Sequence, residues 1–147
     1  MDKQVLKQSR IHGLLTLLLL VFWGGICSEG MAQKKKVQRL EPLAFFEALT
    51  RQSNALIIDT RPAYKFEEYR LKDAVLAVSQ DELLKVVKDQ PKHRPLFVYC
   101  EIGDRSKRAV KVLAQNGFTK VFELKGGLVV WIEQGFEIDS TVLKPER

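Results

Sequence analysis

Cys100 is the residue in this chain best placed to do covalent chemistry. Residues Leu96 to Ser106 read LFVYCEIGDRS. Four apolar or aromatic residues run into Cys100, Gly103 sits inside a short polar loop, and Arg105 and Ser106 follow. The next residues turn helical, with Ala109, Val110, Val112, Leu113 and Ala114 set among Lys107, Arg108, Lys111 and Gln115. A buried strand, a tight loop and a helix N-terminus in succession make an anion-binding pocket. Unpaired backbone N–H groups point into such a loop, and the helix dipole adds partial positive charge. A cysteine there is expected to have a lowered pKa and to act as a thiolate nucleophile. The plainer alternative is a buried strand-end thiol that packs as a small hydrophobe. The glycine loop, the arginine and the helix together favour the reactive cysteine.

The loop residues Glu101, Ile102, Gly103, Asp104 and Arg105 would form the wall of that pocket. Gly103 lets the backbone curl without a side chain in the way. Arg105 has guanidinium geometry suited to an oxyanion, although a solvent-facing arginine is an equal reading. Ser106 reads as the N-cap of the following helix. Asp59 and Arg61 end a neighbouring strand, where ligands of open α/β sheets bind, and read as an ion pair or loop anchor rather than as catalytic groups. Glu101 and Asp104 set two carboxylates beside an anion site, which predicts repulsion of a dianionic substrate and a high KM.

Several elements must position this loop. Val37–Leu40 reads as a small strand, Glu41-Pro42 opens a helix, and 55–58 is a buried strand ending at Asp59. A short helix over 63–69 and a third strand over 74–78 follow. Ser79 to Glu82 is a capping box that starts the next helix. Pro91 and Pro95 bracket a loop holding His93, which reads as a surface residue. Beyond the 106–116 helix, Lys120 to Leu124 is a fifth strand, and Gly126-Gly127 turns into a final amphipathic helix. Short apolar strands alternating with helices specify an α/β domain: a five-stranded, mainly parallel sheet with helices on both faces.

Composition narrows the classes. The chain has 147 residues, 46% hydrophobic and 29% charged, which suits one soluble domain with a real core. The formal charge is +6, but apart from Lys34–Lys36 the basic residues are scattered without interleaved aromatics, so no nucleic-acid partner is expected. Residues 1–32 read as a secretory signal. Lys3, Lys7 and Arg10 precede the apolar run Leu14–Trp23, and Gly30 and Ala32 stand at a small-x-small cleavage site. That run is short for a membrane span, so an exported, periplasmic protein is expected, with a retained N-terminal anchor as the alternative. Residues 33–147 would then form the single domain, with formal charge +5, one cysteine and one histidine. This is too few ligands for a metal site, and no cofactor is expected. A monomer is expected.

Three blocks, LIIDTR (Leu56–Arg61), YCEIGDRS (Tyr99–Ser106) and LKGGLVVW (Leu124–Trp131), resemble the signature blocks of the rhodanese-like domain family. The likeness runs from about Val37 to Ile138. One stretch departs: Tyr69 to Ala74 keeps only the apolar position and the alanine of a frequent family segment. The resemblance implies a catalytic Cys100 that becomes a persulfide. Its partners would be a small sulfur-containing anion such as thiosulfate, or a persulfide, as donor and a thiol or cyanide as acceptor. Two alternatives stand beside a sulfurtransferase. One is a non-catalytic binding module of the same fold. The other is a phosphatase or arsenate reductase, disfavoured because Cys100 and Arg105 enclose four residues where those sites enclose five.

Overall fold

Ile57, Phe97 and Phe122 belong to one apolar cluster, and their chain neighbours Ile58, Val98 and Val121 to another. This alternation of side chains across a pleated strand builds two cores back to back. The computed structural model describes residues 36–140. The expected signal segment and its cleavage site therefore lie outside the described residues. Strands and helices alternate throughout: β1 Lys36–Leu40, α1 Pro42–Thr50, β2 Leu56–Asp59, α2 Ala63–Glu68, β3 Val75–Leu76, α3 Gln80–Val87, β4 Leu96–Tyr99, α4 Asp104–Gln115, β5 Lys120–Leu124 and α5 Gly127–Glu133.

The strands form one sheet in the order β1-β5-β4-β2-β3, every neighbour parallel. An antiparallel bridge between Arg70 and Asp139 lies outside it. The sheet is thus the α/β architecture expected from the sequence, with β4 in the middle. Register places Phe97 beside both Ile57 and Phe122, and the two phenyl rings stack at 4.6 Å.

Phe45 of α1 and Leu128 and Trp131 of α5 cover this face, with Phe45 edge-on to Phe97 at 5.1 Å. Leu83 and Val87 of α3 and Ala109, Val110 and Leu113 of α4 cover the other. Each fully buried Leu, Val or Phe contributes roughly 1.5–3 kcal/mol. The middle strand, buried at all four positions, is fixed most firmly.

Two local expectations are corrected. The third strand spans only two residues, because it is an edge strand that pairs with β2 at Val75 and Leu76 alone. Helix α4 starts earlier than residue 106, and Gly103 is its N-cap, not Ser106. Gly103 adopts φ +96°, a left-handed conformation that glycine takes without steric cost. Ser106 lies inside the first turn, buried, with its hydroxyl turned toward the sheet. The Ser79–Glu82 capping box of α3 forms as read.

Candidate active site

Cys100 follows β4 directly and is 2% exposed. Gly103 donates its backbone N–H to Cys100 Sγ at 3.1 Å. The left-handed turn at Gly103 aims that N–H back at the sulfur and launches α4, whose positive dipole end lies beside it. The other side of the loop is pinned by α5. Leu128 N–H donates to Cys100 O at 2.8 Å, and Val129 N–H to Glu101 O at 3.1 Å. Helix α5 comes this close because of Gly127: a Cβ there would lie 2.4 Å from Glu101 O and 2.6 Å from Cys100 O. The Gly-Gly pair thus holds the cysteine loop as well as turning the chain. Cys100, Glu101, Ile102, Asp104, Arg105 and Arg108 line a cavity of about 400 Å³ over the sulfur.

Asp59 and Arg61 stand at the end of β2, next to β4, and both are fully buried. Arg61 donates from Nε to Asp59 Oδ2 at 2.9 Å, Nη2 lies 2.8 Å from the same oxygen, and the Arg61 backbone N–H reaches Asp59 Oδ1 at 2.8 Å. The guanidinium also donates to Tyr69 O and, at 3.4 Å, to Glu101 Oε2. It lies over the Tyr69 ring, 4.8 Å from its centroid. Burial alone would lower the Arg61 pKa, but the hydrogen bonds and charge of Asp59 outweigh it and raise it. Burial, with the Asp59 carboxylate nearby, pushes the Tyr99 phenol up as well. The pair thus ties the loop at Glu101 to the neighbouring strand and does not touch the sulfur.

Glu101 and Asp104, the two carboxylates expected to repel a dianionic substrate, line the cavity and each faces a cation. Glu101 faces Arg61 at 3.4 Å, Lys65 at 3.7 Å and the Tyr69 hydroxyl at 3.5 Å. Its charge raises the Lys65 pKa. Asp104 is exposed and faces Lys107 at 3.3 Å. Arg105 and Arg108 are exposed at the cavity rim and make no ion pair among the described residues. The same two arginines border a second cavity of about 220 Å³ between α3 and α4. His93 is exposed in the loop before β4.

The sequence reading missed Glu123. This carboxylate is fully buried on β5, accepts from Ser106 Oγ at 3.0 Å, and faces Arg39 across 2.7 Å. A glutamate inside KVFEL was the available signal, since alternation turns it opposite to Phe122 and toward the α4 side. Lys65 and Tyr69, which hold Glu101, carried no signal of their role.

Comparison with known proteins gives the family and the fold. A model of the rhodanese-like domain matches residues 43–134. A sulfurtransferase of Allochromatium vinosum is 26% identical over 102 residues, covering 69% of this chain and 94% of that protein. A tRNA uridine(34) hydroxylase of Cytophaga hutchinsonii is 31% identical over 110 residues, covering 71% of this chain but 35% of that protein. The chain therefore spans about a third of the length of the hydroxylases it matches. Among solved structures, a rhodanese-related protein from Thermoplasma volcanium superposes with TM-score 0.59 at 22% identity, over 69% of this chain and 97% of that one, a likeness of fold. With the matched model running from α1 through α5 and including the cysteine loop, the chain belongs to the rhodanese-like domain family.

Proposed function

We propose that this chain is a sulfurtransferase that carries a sulfane sulfur on Cys100. The observation that carries the reading is the Cys100 sulfur at the floor of a cavity, held by the Gly103 N–H and rimmed by two cations that have no ion-pair partner among the described residues. In the first step, Cys100 Sγ as thiolate attacks the outer sulfur of thiosulfate or a related donor. The new S–S bond forms as the bond to the sulfite group breaks, and the electron pair leaves with sulfite. An acceptor thiolate then attacks the outer sulfur of the persulfide, and Cys100 departs as thiolate. No net oxidation is needed.

Arg105 and Arg108 would draw the anionic donor to the rim, while the Gly103 N–H and the α4 dipole stabilise negative charge on sulfur. The four-residue spacing from Cys100 to Arg105 supports a sulfur in this loop over a tetrahedral oxyanion. The pattern of residues 1–32 supports export, and N-terminal sequencing of protein from its native host, expected to begin near Gln33, checks it. The activity is tested by sulfite release from thiosulfate in the presence of a thiol. Turnover by the wild type and none by Cys100→Ser is expected; equal turnover by both overturns the reading.

A further inference from the structure

Glu123 is a buried titratable group that the sulfur-transfer steps leave unused. Its side chain is wholly out of solvent, near the end of β5, the strand that pairs with β4 ahead of Cys100. Oε2 lies 2.7 Å from Arg39 Nε in an ion pair. Oε1 accepts from Ser106 Oγ at 3.0 Å.

Ser106 is also fully buried, and its hydroxyl has one proton. Two acceptors lie within reach, Gly103 O at 3.1 Å and Glu123 Oε1 at 3.0 Å. A carboxylate is the stronger acceptor, so the proton points to Glu123. The lone pairs of Ser106 Oγ then face Cys100 Sγ, 3.6 Å away, and accept from the thiol. An oriented acceptor at that position favours the protonated sulfur and disfavours the thiolate.

We infer that Glu123 is a positioning residue which, by fixing the direction of the Ser106 hydroxyl, opposes ionisation of Cys100 and so tunes the pH at which it becomes a nucleophile. The Gly103 N–H acts on the sulfur in the opposite sense. The other charged groups that face the sulfur cavity are Glu101 and Asp104 of the loop and first turn, and Arg105 and Arg108 of α4. Arg61 and Lys65 reach it through Glu101, and Arg39 through Glu123. All of these remain in a Glu123 variant, so the comparison isolates the carboxylate. In Glu123→Gln a neutral amide replaces the carboxylate and no longer outcompetes the other acceptors, so the hydroxyl proton is shared between Gly103 O and the sulfur, and its share on the sulfur favours the thiolate.

The inference rests on Cys100 being the sulfur-carrying nucleophile, but its test reads the thiol without any donor. The rate of Cys100 alkylation by iodoacetamide is measured against pH in the full chain, its wild type and Glu123→Gln. The expected result is a profile displaced to lower pH in Glu123→Gln, with at least threefold faster alkylation at pH 7. In a Ser106→Ala background the same substitution should lose at least half of that effect. A folded Glu123→Gln with an unmoved profile, or with one displaced to higher pH, overturns the inference. So does a displacement undiminished by Ser106→Ala, which would mean that the charge acts through space. If Glu123→Gln does not fold, the carboxyl carbon of Glu123 is followed by NMR in the wild type. Its signal should move as Cys100 ionises and stay still over the same pH range in Cys100→Ser; a signal that ignores the cysteine overturns the inference. A displaced alkylation profile in a protein that takes up no sulfur would refute the sulfurtransferase reading and leave this one standing.

Discussion

Gly127→Ala separates the close approach of α5 to the cysteine loop from the ordinary cost of a left-handed residue. The new Cβ would lie 2.4 Å from Glu101 O and 2.6 Å from Cys100 O, both backbone atoms that cannot swing aside. Ordinary contact begins near 3.4 Å, so helix and loop must part by about 1 Å. That movement weakens two hydrogen bonds, Leu128 N–H to Cys100 O and Val129 N–H to Glu101 O, at ~0.5–1.5 kcal/mol each. The left-handed backbone at φ +66° adds about 1–2 kcal/mol for alanine. The sum is a loss of roughly 2–5 kcal/mol. Gly135→Ala is the control: its φ is +78°, but nothing lies within 4 Å of its Cβ, so only the backbone cost of ~1–2 kcal/mol applies. Urea unfolding of both variants measures the difference, expected at ~1–3 kcal/mol. Sulfur transfer in Gly127→Ala should fall about a hundredfold, since a 1 Å misplacement of a reacting group costs on that order. Equal destabilisation of the two variants with intact transfer would refute the role given to Gly127.

Arg61→Met leaves the buried Asp59 carboxylate unpaired and should cost ~3–5 kcal/mol by urea unfolding; adding Asp59→Asn should recover much of that loss. Tyr99 is an acid whose folded pKa lies above its unfolded value near 10. Above pH 10 the folded state therefore holds more protons than the unfolded one, and stability falls as pH rises, by up to about 1.4 kcal/mol per pH unit from this group. Tyr99→Phe should flatten the alkaline limb of a stability–pH curve, while costing ~1–3 kcal/mol at neutral pH because the Leu71 N–H loses its acceptor. Glu101→Gln with Asp104→Asn should change the KM for thiosulfate by less than about twofold at low salt, because both carboxylates already face cations. Arg105→Ala with Arg108→Ala should raise that KM several-fold, and more at low ionic strength than at high.

The fold was legible because each strand carries its own signal. Ile57-Ile58, Phe97-Val98 and Val121-Phe122 are apolar on both faces, which only a sheet covered on both sides allows. The cysteine was legible from the strand, glycine and helix around it. The arrangement of the site was less so, because it depends on contacts between distant residues. Tyr69 and Lys65 meet Glu101 more than thirty positions away, and no local pattern marks that encounter. Ser106 followed the usual preference of serine for helix starts, but a left-handed glycine three residues earlier took the cap and left the hydroxyl free to face Glu123. Glu123 ran against expectation altogether. A buried carboxylate is costly unless paired, and its partners, Ser106 and Arg39, come from a separate helix and an edge strand.

The most direct test of the account is a mass spectrum of the intact protein after incubation with thiosulfate and removal of excess donor, under conditions that preserve persulfides. The wild type should gain the mass of one sulfur atom, located on Cys100 by peptide mapping and lost again on addition of a thiol. Cys100→Ser should gain nothing. A wild-type chain that takes up no sulfur from thiosulfate or from a small persulfide, or one that carries it elsewhere than Cys100, would contradict the account.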